Sequence, residues 1–200
     1  MKFITGLFLI FFSFGTWAAE NEDLKAELLA MLKVDQQIRD QHIKAKTPED
    51  EKRLGTEMSQ IDSKNLIRIK QIIKEFGWPT SKLVDAEGVN AAFIMVQHAS
   101  DKSFQKEMLP HIEKAFNNDE GINGEAFALL TDRVRIRHGE KQIYGTQANE
   151  ENGEMVFLPI EDEANVDKRR KAMGMPPLAF YKKILEEAYG LKDHPDVELN

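Results

Sequence analysis

The 200-residue chain contains no cysteine. Disulfides are therefore excluded, as is lipid attachment at a mature N-terminal cysteine, and stability must come from packing. Metal-binding patterns are missing as well. His42, His98, His111, His138 and His194 form neither an HExxH motif nor an i, i+4 pair. No phosphate-cradling glycine loop and no GxSxG elbow occurs, so nothing implies a metal or another cofactor. Basic charge is in deficit: the formal net charge is −7, which disfavours partners such as nucleic acid or anionic lipid. The cluster Arg133, Arg135, Arg137, His138 and Lys141 lacks interleaved aromatics, and a helix C-terminus explains it without nucleic acid.

What is present begins with an address. MKFITGLFLIFFSFGTWAA sets Lys2 before an apolar run from Phe3 to Phe14, followed by small residues at Ala18 and Ala19. This is the pattern of a secretory signal peptide over residues 1–18, with cleavage near Thr16-Trp17-Ala18. The run is short for a membrane-spanning helix of about 20 residues. The expectation is export, to a bacterial periplasm or beyond, with no membrane association after cleavage. Loss of Lys2 would take the formal charge from −7 to −8. The remaining length suffices for a domain burying about 70% of its extended-chain surface.

Two amphipathic helices are predicted over 20–76. Leu24, Leu28, Met31 or Leu32, and Ile38 recur at helical spacing; Thr47-Pro48 then reads as an N-cap and first helical position. The second helix carries Leu54, Met58, Ile61, Ile69, Ile72 and Phe76, with Asn65 interrupting the seam. Such a pair forms an antiparallel hairpin. Gly77-Trp78-Pro79 ends it, and a compact helical domain is expected over 77–190. Residues 87–99 are apolar almost all round, as a central buried helix should be. Ser100 reads as the next N-cap. Residues 124–138 alternate like a strand through Arg133–Arg137, yet Phe127, Leu130 and Val134 share a helical face and Gly139 is a stop signal; a helix is preferred. Strands at 142–147 and 155–160 around Asn152-Gly153 predict a β-hairpin within 141–160. Helices over 164–173 and 177–189 and a frayed tail over 191–200 complete the chain. The fold class is mainly α with one β-hairpin.

The candidate site is a set of polar residues near apolar segments. His98, Asp101 and Gln105 share one face on continuous helical geometry. An imidazole oriented by a carboxylate is a general base; the alternative is a buried His that satisfies a helix end. Asp132 is either an i, i+3 partner of Arg135 or an inward-pointing orienter for His98. In the YGTQ stretch, strand alternation puts Tyr144 and Thr146 on one side and Gly145 and Gln147 on the other. Gly145 would admit a close backbone or ligand, and Gln147 can both donate and accept. Asp162 reads as an N-cap and Asp167–Arg170 as a helical pair, or Arg170 as an anion contact.

Gly77-Trp78-Pro79, Gln97-His98-Ala99, Phe104-Gln105, Leu130-Thr131-Asp132-Arg133-Val134, Tyr144-Gly145-Thr146-Gln147 and Val166-Asp167-Lys168-Arg169-Arg170 occur in series. In that order they resemble the bacterial domain of unknown function 6624, over roughly residues 75 to 182, with the N-terminal helices outside. In that pattern an Asp follows His-Ala; Ser100 stands there in this chain. The resemblance implies a domain and carries no reaction.

The expectation is that His98, Gln105, Asp132, Arg133, Tyr144, Thr146, Gln147 and Arg170 converge on one pocket. As a binding module it would hold a small polar or peptide-like ligand, with Arg133 and Gln147 as contacts. As a cofactor-independent hydrolase or transferase it would use His98 as base and Asp132 as orienter. As an interaction module it would offer a protein partner an apolar stripe along Leu54, Met58, Ile61 and Ile69.

Overall fold

A computed structural model describes residues 19–197; the expected signal peptide lies outside them. Helix α1 spans Glu22–Ile43 and α2 Pro48–Phe76. Their ends are written locally: the Asn21 side chain accepts the Leu24 N–H at 3.0 Å, and Thr47 accepts the Asp50 N–H at 3.1 Å. The two form the expected hairpin and pack on α3, Ser81–Gln97. Helix α3 is broken at Asp85, whose backbone is left-handed while its carboxylate accepts the N–H groups of Glu87 and Gly88. The apolar part therefore restarts near residue 87, as the sequence suggests. It is buried all round because α1, α2 and α4 (Lys102–Asn117) each touch it.

Val89, Ala92, Phe93 and Val96 of α3 meet Leu28, Ile69 and Ile72 of the hairpin and Met108 and Ile112 of α4 in one core. Residues 124–137 are helical, forming α5 (Gly124–Arg137). It packs on α4 through stacked Phe116 and Phe127 rings 5.3 Å apart. Strands β1 (Ala148–Glu151) and β2 (Glu154–Phe157) pair antiparallel around Asn152-Gly153, both at positive φ as a two-residue hairpin turn requires. A short 3-10 turn, α6 (Val166–Ala172) and α7 (Leu178–Ala188) close the fold. No helix among the described residues is long and apolar enough to cross a membrane.

Several local expectations are corrected. The N-cap of α4 is Asp101, which accepts from Ser103 and Phe104, not Ser100. Asp162 precedes the 3-10 turn in a left-handed conformation and makes no cap bond; its carboxylate binds Asn165 and Arg169. Asp167 accepts the Leu178 N–H at 2.7 Å, serving the start of α7 and not Arg170. The tail folds back through His194, whose imidazole lies 2.9 Å from the Glu186 carboxylate. Of the expected partner stripe, Leu54 and Ile69 are buried and Met58 and Ile61 half-buried, on a helix that packs on α1 and α3.

Candidate functional site

The YGTQ stretch is a loop, not a strand, and the cause is Asp132. Fully buried on α5, its carboxylate accepts the backbone N–H groups of Ile143 at 2.7 Å and of Tyr144 and Thr146 at 3.0 Å. The Thr146 hydroxyl donates to it as well, at 3.0 Å. A segment whose N–H groups converge on one carboxylate has none left for a ladder. Arg170 works from the other side. Its Nη1 donates to the carbonyls of Tyr144 at 2.8 Å and Gly145 at 3.3 Å, and its Nε to that of Pro176 at 2.6 Å. Gln142, also buried, donates to the carbonyls of Gln147 and Leu158 and accepts the Gln147 N–H. Gly145 is at φ +69°, and an added Cβ would stand 2.6 Å from Leu178 Cδ1; the close approach there is packing, not ligand.

Asp132 and Arg170 are thus corrected from catalytic orienter and ligand contact to loop supports. Tyr144 contributes its backbone. Gln105 is corrected likewise: fully buried, it donates to the carbonyls of Val96 and Gln97 and accepts from Arg137 at 2.7 Å, closing the end of α3.

Adjacent residues on a helix point about 100° apart, so Arg133 leaves α5 in a different direction from Asp132. It enters the wall of a cleft of about 420 Å³ between α5, the start of β1 and α7, with Thr146, Gln147, Tyr181, Leu185 and Tyr189 around it. Among the described residues no carboxylate pairs with Arg133, and its buried Nε has no acceptor. Burial, then repulsion from Arg137 and Arg39, pulls its pKa below the ordinary arginine value. Arg170 lies 4.6 Å behind the Tyr181 ring, so a second guanidinium without an acidic partner backs the same wall. Burial pushes the Tyr181 phenol up. The Gln147 side chain, part of the cleft lining, spends one N–H on the Thr146 hydroxyl at 3.0 Å; no partner among the described residues takes its carbonyl oxygen or second N–H. A larger depression of about 570 Å³ runs along α2, but its arginine, Arg53, is already paired with Asp50 and Glu57.

His98 does not line this cleft. It caps α3, and its Nδ1 lies 2.9 Å and 3.0 Å from the two oxygens of Asp35, a fully buried carboxylate of α1. Arg39 Nε is 3.0 Å from the same Nδ1, while its Nη2 reaches Asp35 at 3.2 Å and Asp62 of α2 at 2.5 Å. One ring nitrogen cannot donate and accept at once; the buried anion favours Nδ1–H donating to Asp35, which leaves Nε2 as the basic atom. The expected Asp101 partner instead binds Lys70 at 2.7 Å. Donor atoms of Asp35, Asp62 and His98 lie within 4.8 Å of one another, a spacing that suits a divalent ion. Arg39 touches all three, so a cation already sits among them and the cluster does not fit a metal.

The structure therefore brings Arg133, Thr146 and Gln147 together and sets His98 in a separate cluster. Asp35, Arg39 and Asp62 escaped the sequence reading. A signal existed: Asp35 continues the apolar series Leu28, Leu32, Ile38 of α1, where an acid must be buried.

The profile of one protein family, described as a family of unknown function (DUF6624), matches residues 22–194. That span includes α1 and α2, which the resemblance had placed outside. No curated protein and no solved structure matches the chain.

Proposed function

The chain belongs to the DUF6624 family, and on that footing we propose that it is a binding module for a small polar ligand, seated in the cleft lined by Arg133, Thr146 and Gln147. The observation that carries this reading is Arg133: a guanidinium in the wall of a cleft that no carboxylate among the described residues pairs with. A half-buried guanidinium without a carboxylate partner is costly, and an acceptor on a ligand in the cleft would offset that cost. Support from beneath is unusually complete, since Asp132, Arg170 and Gln142 all hold the loop that presents Gln147. Fragment screening by ¹H–¹⁵N NMR tests the proposal. Hits should shift the amides of residues 146–150 in the wild type and lose that effect in Arg133→Met; a screen with no cleft-directed hit would end it.

A second reading has its own observation, the buried Asp35 carboxylate on His98 Nδ1. It makes His98 a general base with Asp35, in place of Asp132, as its positioning residue. A hydrolase or transferase of this kind requires His98→Gln to abolish turnover in the fraction that remains folded. For localisation we propose export, supported by the Lys2, Phe3–Phe14 and Ala18-Ala19 pattern; N-terminal sequencing of the cell-fractionated protein should begin near residue 19.

A further inference from the structure

We infer that the cleft's ligand is a carboxylate with a neighbouring amide and an aliphatic side chain, the chemistry of an acylated amino acid or a free peptide C-terminus. The inference rests on the reading of the cleft as a binding site and names what it takes. Three observations carry it.

The cleft's cationic resource is a single planar fork. Arg133 is the one basic residue in the lining among the described residues, Glu150 stands in the same wall, and the chain is acidic overall, at −7. A phosphate group carries between one and two charges and is usually met by several donors or cations. A monoanionic carboxylate matches one guanidinium bidentately. Arg170 adds positive potential from behind Tyr181, 4.6 Å from the ring, without reaching the cleft.

Beside the fork lies a matched amide reader. Thr146 has no donor left to offer, since its hydroxyl donates to Asp132 and accepts from Gln147. Gln147 retains one donor and one acceptor, the complement of a secondary amide's C=O and N–H. Asn149 and Glu150 add polar groups to the wall, and Leu129, Met155, Leu185 and the rings of Tyr181 and Tyr189 supply an apolar part that suits an aliphatic side chain.

The test titrates N-acetyl-L-leucine, N-acetyl-L-leucinamide, inorganic phosphate and an acetylated tetrapeptide ending in leucine into the ¹⁵N-labelled chain from residue 19. Readouts are the amides of residues 146–150 and the Arg133 Nε–H resonance. The acid should bind at least about tenfold more tightly than its amide, as a charge-assisted hydrogen bond predicts, and phosphate should not displace it. Arg133→Met should erase the acid–amide difference; Gln147→Ala should weaken acid and amide alike. Tighter binding of the tetrapeptide assigns the site to chain ends, and tighter binding of the small acid to free acyl amino acids. Equal binding of acid and amide, or displacement by phosphate, overturns the carboxylate assignment while the binding reading stands. If fragments find the cleft and none of these compounds does, the ligand class is wrong; if nothing finds the cleft, both readings fall.

Discussion

Asp132 holds Thr146 twice, by its backbone N–H and by its hydroxyl, each at 3.0 Å. That double hold turns a stretch with strand-like alternation into a loop and points Gln147 at the cleft. Asp132→Ala should strand the N–H groups of Ile143, Tyr144 and Thr146 in a dry environment. Each buried group left unsatisfied costs about 1–3 kcal/mol, so a loss of about 3 kcal/mol or more is expected in urea unfolding. A variant within about 0.5 kcal/mol of wild type would contradict the loop's dependence on this carboxylate.

Arg133 makes the opposite forecast. A residue kept for a ligand costs stability when the ligand is absent. Arg133→Met keeps the stem's packing and removes the unpartnered charge. It should stabilise the free protein by about 0.5–2 kcal/mol, raising Tm by roughly 2–4 °C per kcal/mol for a chain of this size. A lowered Tm would mean that the guanidinium has a structural task.

Asp35 predicts a pH dependence. Burial pushes its carboxyl up, but the hydrogen bonds from His98 and Arg39 outweigh this and hold it below the ordinary value. The folded form then binds the proton less readily than the unfolded form. Its stabilisation is full above the unfolded pKa, near 4, and is lost as pH falls through the folded value. Asp62 runs the other way: burial raises it against the pull of Arg39, so its contribution is lost as pH rises through its own folded value. Asp35→Asn should cost about 3 kcal/mol at pH 7. The gap to wild type should narrow below about pH 4, as urea midpoints across the acid range would reveal; a constant gap would remove Asp35 as the cause.

Gly145 tests the packing beneath the loop. With φ at +69° and Leu178 Cδ1 2.6 Å from a would-be Cβ, Gly145→Ala should lose about 1–3 kcal/mol to backbone strain alone. Overpacking adds to this. Since the side chain at 145 would press on Leu178 and Ile160 rather than into the cleft, ligand affinity measured on the folded fraction should change little; a large loss of affinity would place Gly145 in the site.

The amino-acid sequence by itself determined the elements. Thr47-Pro48 opens α2, Gly77 ends it, Gly139 stops α5 and Asn152-Gly153 turns the hairpin, because caps, periodicity and turn preferences act between residues a few positions apart. It also marked Arg133, Thr146 and Gln147 as polar groups beside apolar segments. Only the tertiary structure decided their partners. Asp35 meets His98 across 63 positions and Asp132 meets Thr146 across 14, and no local rule selects which carboxylate reaches which donor. Packing does: once α1 lies on α3, its inward acid must take the imidazole at that helix's end, and Asp132, turned towards the loop, is no longer available to it.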